Sequence, residues 1–176
     1  DGGACSGQRR IAADGLANTV FTLFTLLVSG RNLLTGGHQV RRRVLIVDDH
    51  AIIRLLVRSL FEAQDLDVSE ASDGAEGVRK AQAENPALII LDLSMPVMNG
   101  LEAARALKRL RPEIPLLMFT NNDGGLLEAE ARSVGIAAVV SKSDADSTQR
   151  LLMRATALLD GHRNFLSKAA HDAAAD

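Results

Sequence analysis

Four charged residues stand at the ends of three apolar runs of this chain, and their side chains could form one chemical site. Asp48 and Asp49 follow the first run, Asp92 follows the second, and Lys142 closes the third. Carboxylates crowded together repel one another and are stable only beside a cation or when protonated. Mg²⁺ takes near-octahedral oxygen ligands and keeps several waters, so two or three carboxylates suffice to bind it. Three aspartates and one lysine therefore predict a divalent-metal and phosphoryl site.

A hydroxyl group joins this set at the end of a further apolar run. Thr120 and Lys142 could hold phosphoryl oxygens as negative charge builds up on them. Taken singly, each feature has a plainer interpretation: the acid pair as a helix cap or solvated loop, Thr120 as a β-branched strand residue, and Lys142 as a surface lysine. Their joint placement at the ends of consecutive strands favours the phosphoryl site.

The elements that must position these residues alternate between strand and helix. Short apolar runs rich in Val and Ile predict strands buried on both faces of a parallel sheet. The predicted strands are 44–47, 66–70, 87–91, 116–119 and 136–140. Three helices are predicted over 51–63, 100–110 and 126–134. A further helix begins at Asp73 or Gly74 and runs to 83, and the last begins at Asp144 or Asp146 and runs to 159. Such alternation implies right-handed crossovers, and ligands of these sheets bind at the carboxyl ends of the strands. We therefore expect an α/β fold with its site at that edge.

Three local features give sharper expectations. The apolar face of the first helix is predicted from helical spacing, with Arg54 and Arg58 off that face; its members are Ile52, Leu55, Leu56, Leu60 and Phe61. The turn from Met95 to Gly100 combines a proline, which fixes φ, with a glycine, which permits positive φ. Gly161 is expected to end the last helix.

Composition bounds the remaining possibilities. The chain has 176 residues, enough for one domain with tails, and 47% of them are apolar. Aromatics make up only 3%, so the core must be aliphatic. A net charge of −2 argues against a whole-chain electrostatic grip on nucleic acid. Cys5 is the single cysteine, so an internal disulfide is excluded.

The two ends of the chain are interpreted as extensions of a domain over 42–160. Residues 1–41 are expected to be poorly ordered, and 161–176 to be a C-terminal tail or truncated linker. The apolar stretch 16–28 is shorter than the roughly 20 residues of a membrane-spanning helix. A signal peptide is an alternative for it, because two arginines precede it. Since the first residue is Asp1 and not Met, we expect a fragment or a processed product.

Four segments together resemble the receiver domain of bacterial response regulators, the CheY-like family, over about residues 42–159. They are Val47–His50, Leu91–Gly100, Phe119–Thr120 and Ser141–Lys142. The resemblance is strongest to receivers of the LuxR/NarL-type two-component regulators. It implies a doubly wound, five-stranded parallel sheet of order 2-1-3-4-5, with helices on both faces. It also implies a cytoplasmic protein.

The resemblance implies a role for each acid. Asp92 would be the phosphoacceptor, taking a phosphoryl group from a sensor histidine kinase. Asp49 and Asp92 would bind Mg²⁺ directly, Asp48 would act through water, and the backbone carbonyl of Ser94 would be a further ligand. The chain would then be a phosphoacceptor and not an enzyme, although its site would assist its own phosphorylation and dephosphorylation.

The resemblance also implies how the signal leaves the site. Thr120, the backbone N–H of Asn121 and Lys142 would hold the phosphoryl oxygens. In the family, the threonine and an aromatic residue on the fifth strand reorient together, but Val139 stands at that switch position here. The face made by the fourth helix, the fifth strand and the last helix would contact an output partner or a second copy. The site is thus complete, whereas the usual output switch lacks its aromatic residue.

Two rival functions stay open. The chain could be the receiver of a DNA-binding LuxR/NarL-type transcription regulator whose helix-turn-helix domain is missing, in which case this part would make no direct contact with nucleic acid. It could also be a metal-dependent phosphohydrolase with an aspartyl-phosphate intermediate. That chemistry would want a second acid two residues after Asp92, where Ser94 stands.

Overall fold

The computed structural model describes residues 42–122 and 125–173, and the predictions for residues 1–41 lie outside them. Five strands alternate with five helices in this part of the chain. The strands are β1 Arg43–Val47, β2 Asp67–Ala71, β3 Leu88–Leu91, β4 Leu116–Thr120 and β5 Ala138–Ser141. The helices are α1 Ala51–Glu62, α2 Gly74–Glu84, α3 Gly100–Leu110, α4 Gly125–Ser133 and α5 Ser147–Ala173.

The strands form a single parallel sheet in the order β2-β1-β3-β4-β5, as predicted. In the ladder, Val47 at the end of β1 lies between Ala71 of β2 and Leu91 of β3. Thr120 at the end of β4 pairs with Ser141 at the end of β5. The carboxyl ends of the five strands therefore lie along one edge, where the residues that follow them can meet.

Both faces of the sheet are covered by helices, so the strands of its centre are apolar at every position. Alternate strand residues point to opposite faces. Leu45 and Ile89 pack with α2, α3 and α4, whereas Ile46 and Ile90 pack with α1 and α5. Of the helices that the structure describes, none is long and apolar enough to cross a membrane.

Caps fix where the helices that frame the site begin and end. Asn99 caps α3 in a full capping box: its side chain accepts from the Glu102 N–H, and Glu102 accepts from the Asn99 N–H. Asp73 caps α2, and Gly135 follows α4 with φ +86, the left-handed conformation expected of a helix stop.

The predicted apolar face of α1 is wrong at three of its five residues, whereas Leu60 and Phe61 lie on the buried side as predicted. Ile52, Leu55 and Leu56 are exposed, at 81%, 62% and 47%. The buried face consists instead of Val57 and Phe61, with Ile53 and Leu60 packed beside them. Nearly every apolar position of α1 fits one of two helical stripes, so periodicity alone does not select between them. Polar contacts of the arginines, described below, decide the rotation of the helix.

Two other local expectations also differ from the structure. The helix α5 does not end at Gly161 but continues to Ala173, and a Cβ built on Gly161 meets no atom within 4 Å. In the turn before α3, the residue with positive φ is Val97, at +67, and not Gly100. Gly100 is required for a different reason, which concerns the site.

Candidate functional site

Backbone hydrogen bonds carry the sheet one residue past its strands and thereby position the site residues. The N–H of Asp48 donates to the Ala71 carbonyl at 3.1 Å, and that of Asp92 donates to the Val47 carbonyl at 2.8 Å. The Lys142 N–H donates to the carbonyl of Thr120, also at 2.8 Å. These residues therefore leave the sheet in defined directions, along the edge where the five strands end.

A lysine joins two of the predicted acids. Nζ of Lys142 donates to Oδ2 of Asp48 at 2.6 Å and to Oδ1 of Asp92 at 2.8 Å. The side chains are almost fully buried, with 6% of the lysine and 4% of each aspartate exposed. Buried charges are stable when they are paired and hydrogen-bonded, and this arrangement satisfies that condition.

The remaining oxygens of these two carboxylates accept backbone N–H groups. His50 N–H donates to Asp48 Oδ1 at 2.9 Å, and Ser94 N–H donates to Asp92 Oδ2 at 3.0 Å. Each of the four oxygens thus has a donor within hydrogen-bond distance, as expected for buried polar groups. Both acids are fixed in place before any ligand binds.

Asp49 lies at the more open side of the site. Its side chain is 30% exposed, and its Oδ1 lies 2.7 Å from Nδ1 of His50. Ligating atoms of Asp48, Asp49 and His50 all lie within 4.8 Å of one another. Three carboxylates at this edge face one ammonium, so negative charge is left over. Oxygen donors with an excess of negative charge fit Mg²⁺, whose preferred ligands are carboxylate, carbonyl and water oxygens.

The predicted phosphoryl-binding residues lie at the neighbouring strand ends. Thr120 is buried, and its Oγ1 accepts from the Asn122 N–H at 3.3 Å. Asn121, between them, is exposed. Lys142 lies with its ammonium 5.7 Å from the centroid of the Phe119 ring, a cation–π distance that the sequence analysis did not anticipate.

Val139, at the switch position of the fifth strand, is half-buried. It packs against the cluster formed with α2, α3 and α4. Its side chain lies on that face of the sheet, and as a β-branched residue it has a restricted χ1. A ring that swings between buried and exposed positions is thus absent from this strand position.

The turn after Asp92 brings α3 close beneath the site. A Cβ on Gly100 would lie 2.1 Å from the backbone oxygen of Asp92, closer than atoms approach, so only glycine fits there. An open groove beside Asp49 runs along this turn and opens onto the acid edge, the name used below for the strand-end carboxylates Asp48, Asp49 and Asp92. The groove is lined by Leu93, Ser94, Met95, Pro96, Asn99 and Leu101. A phosphodonor could reach the acids from this side.

Sequence reasoning missed the part that Arg54 has in the site. Its Nη1 donates to the backbone carbonyl of Asp48 at 2.7 Å, and its Nε donates to Oε2 of Glu70 on β2 at 3.0 Å. The sequence signal for this role was the position of Arg54 one helical turn after His50, from which its side chain can reach back over the end of β1. These contacts explain why Arg54 faces the sheet while Ile52 does not.

Glu70 is shared by two arginines. Burial by itself raises the pKa of a carboxyl group, but the hydrogen bonds from Arg58 and Arg54 outweigh it and hold the pKa of Glu70 below its ordinary value. In turn, the hydrogen bond to Glu70 raises the pKa of Arg58. Glu70 therefore stays ionised and anchors both guanidinium groups.

Comparisons with known proteins agree with this geometry. The family model described as response regulator receiver domain matches residues 44–156. The chain is 35% identical over 121 residues to the transcriptional activator protein ExaE of Pseudomonas putida, a match that covers 68% of this chain and 56% of ExaE. It is 37% identical over 84 residues to the transcriptional regulatory protein PhoP of Bacillus subtilis, covering 48% of this chain and 35% of PhoP. The chain thus spans less than two thirds of these relatives.

Solved structures give the same result. A CheY-like receiver domain protein from Methanospirillum hungatei is 26% identical and superimposes with a TM-score of 0.66, over 70% of this chain and 98% of that one. A LuxR-family two-component response regulator from Aurantimonas is 30% identical with a TM-score of 0.64, over 69% of this chain and 86% of that one. The shared fold and the match over 44–156 agree, and the chain belongs to the response regulator receiver domain family.

Proposed function

We propose that this receiver accepts a phosphoryl group on Asp92, with Mg²⁺ bound beside it. The observation that carries the proposal is the buried carboxylate of Asp92, which ends the central strand and is held by the Lys142 ammonium at 2.8 Å. Receiver domains as a family are phosphoacceptors that interact with sensor histidine kinases and output domains. What is proposed here is the residue-by-residue assignment.

In the proposed reaction, a carboxylate oxygen of Asp92 attacks the phosphorus of a phosphohistidine. A new O–P bond forms while the N–P bond breaks, and the departing imidazole keeps the electron pair and takes a proton from solvent. Lys142, Thr120 and the N–H of Asn121 hold the phosphoryl oxygens, whose charge develops in the transition state. Apart from Mg²⁺, the groups that assist the reaction all belong to the receiver, so it assists its own phosphorylation and, with water as the attacking group, its dephosphorylation.

The metal would be held by the acid edge. We assign its ligands as Asp49, Asp92 and the Ser94 carbonyl, with Asp48 acting through water. When bound, Mg²⁺ neutralises the charge that gathers between phosphoryl oxygens and carboxylates. The excess of carboxylates over ammonium groups at this edge supports the assignment.

Intact-mass measurement with a small phosphodonor tests the acceptor. With acetyl phosphate and Mg²⁺, the parent chain should gain the mass of one phosphoryl group, and Asp92→Ala should gain none. Asp144→Ala is a matched control, since Asp144 is half-buried and pairs with Arg150 on the surface. An undiminished mass gain in Asp92→Ala would refute the assignment.

Thermal melting tests the metal independently of phosphorylation. A ligand that binds the folded state alone raises its stability by mass action. Millimolar Mg²⁺ should therefore raise the melting temperature of the parent chain, and the rise should shrink in Asp49→Ala. An unchanged melting temperature in the parent would count against the metal site.

We propose that phosphorylation is transmitted through the loop after β4 and through α4, since Val139 provides no ring to reorient. Movement of Thr120 toward the phosphoryl group would pull on Asn121 and Asn122. Amide hydrogen exchange with the phosphoryl mimic beryllofluoride should change most in that loop and α4. Changes confined to the neighbourhood of Val139 would contradict this route.

We also propose which partners the domain contacts. The face made by α4, β5 and α5 would contact a second copy or an output partner, and the phosphodonor would be a cytoplasmic sensor kinase.

A second candidate function is that of the receiver of a DNA-binding transcription regulator. It is supported by ExaE and PhoP, named as transcriptional proteins, of which this chain spans 56% and 35%. A helix-turn-helix sequence encoded downstream of Asp176 in the gene would decide for it, and a receiver-only gene would decide against it.

A further inference from the structure

We propose that Arg54 is a positioning residue, which orients the metal-binding carboxylate of Asp49 through the backbone of Asp48. The inference rests on the proposed function, because it concerns how the acid edge is prepared to bind Mg²⁺. Arg54 itself touches neither the phosphoacceptor nor the carboxylate oxygens at the site. Its influence would be exerted through one carbonyl group.

Arg54 links the end of β1 to β2 through two hydrogen bonds. One nitrogen of its guanidinium holds the Asp48 carbonyl at 2.7 Å, and another holds Glu70 at 3.0 Å. The side chain is only 17% exposed. Glu70 on β2 pairs in register with Ile46 on β1, two residues before Asp48. The guanidinium group is therefore anchored to the sheet just before the loop whose carbonyl it holds. A planar guanidinium can keep both bonds at once because its donors are in fixed directions.

Holding this carbonyl fixes more than one atom. The Asp48 oxygen and the Asp49 nitrogen belong to one planar peptide unit, so a fixed oxygen sets the direction in which Asp49 leaves the strand. The Asp48 side chain is already held at both oxygens by Lys142 and by the His50 N–H. Asp49 contacts His50, whose side chain is 67% exposed and therefore holds it weakly. The backbone is thus the main constraint on Asp49. Arg54 holds it on one side, at the Asp48 carbonyl, and the His50 N–H is held on the other.

Arg58 provides a matched control on the same helix. It donates to the same Glu70 carboxylate and also pairs with Glu62, at 3.2 Å. The side-chain hydrogen bonds of Arg58 go to Glu70 and Glu62, and none goes to Asp48 or Asp49. Replacing Arg58 therefore removes one positive charge and an ion pair with Glu70 while the carbonyl contact of Arg54 is left in place.

The test compares Arg54→Ala, Arg54→Lys and Arg58→Ala by calorimetric titration of the unphosphorylated full chain with Mg²⁺. Loss of a residue that orients a metal ligand lowers metal affinity by about tenfold or more, so we expect that increase of Kd in Arg54→Ala. Arg54→Lys should also raise the Kd, because a single ammonium nitrogen cannot replace two guanidinium nitrogens that donate in different directions. Arg58→Ala should leave the Kd unchanged. Urea unfolding of all three shows how much stability each change removes.

Two outcomes would overturn the inference. The first is an equal rise of Kd in Arg54→Ala and Arg58→Ala, which would show that both arginines act through general stability. The second is an unchanged Kd in Arg54→Lys, the variant that keeps the charge and so preserves folding best. Failure of the proposed function is a separate result, since the parent chain itself would then bind no Mg²⁺ and take no phosphoryl group.

Discussion

Replacing Lys142 with methionine removes the ammonium that joins two buried carboxylates. Its contacts to Asp48 and Asp92, at 2.6 and 2.8 Å, are each worth about 6 kcal/mol of Coulomb attraction at an effective dielectric constant near 20. Desolvation of the three charges offsets much of this attraction. Breaking a buried pair by removing one partner costs about 3–5 kcal/mol, because the other charge stays buried. We expect a loss near the lower bound, about 3 kcal/mol, since the edge beside Asp49 is open to solvent.

Urea unfolding of the full chain in a chelator measures this loss directly. The free energy of unfolding of Lys142→Met should recover in part when millimolar Mg²⁺ replaces the missing positive charge. Arg132→Met is the control: Arg132 and Glu128 form an exposed pair 3.8 Å apart, so its loss should cost less than about 1 kcal/mol. Equal free energies of unfolding for the two variants without Mg²⁺ would refute the reasoning.

Three further predictions concern stability and use the same unfolding assay. Gly100→Ala should cost about 3 kcal/mol, because the new Cβ would meet the Asp92 carbonyl, whereas Gly161→Ala should stabilise the open stretch of α5 by up to about 1 kcal/mol. Val97→Gly should stabilise the chain by about 1 kcal/mol, since Val97 is exposed and held at positive φ. Glu76 has its pKa lowered from 4.5 to about 2 by the Ser72 N–H and by Lys80. The ionised Glu76 carboxylate should therefore add about 1–2 kcal/mol, after solvent screening, to the free energy of unfolding above pH 4.5, and this stabilisation should be lost as the pH falls toward 2. Glu76→Gln should remove this part of the acid dependence.

The sheet and the acid edge could be predicted because their signals are strong and local. Runs such as Val44–Val47 and Leu88–Leu91 are apolar at every position, which is typical of strands covered on both faces. Parallel strands end at one edge, so the charges that follow them had to meet. Asn99 and Gly135 lie at helix ends, where their residue types suit an N-cap and a left-handed stop.

The rotation of α1 could not be predicted from spacing because two apolar stripes compete on that helix. Burying Ile53 and Val57 lets Arg54 reach the Asp48 carbonyl and Glu70, while Ile52 is left exposed. These partners are distant in sequence, so the deciding contacts depend on the assembled sheet. The continuation of α5 past Gly161 has a similar origin, because a glycine permits a helix end without requiring one.

Mapping the phosphorylated residue tests the central claim most directly. After reaction with acetyl phosphate and Mg²⁺, borohydride reduction converts an aspartyl phosphate to homoserine, and peptide sequencing by mass spectrometry locates it. We predict homoserine at position 92 and unmodified aspartates at positions 48 and 49. Homoserine at Asp48 or Asp49, or a chain that takes no phosphoryl group in the presence of Mg²⁺, would contradict it.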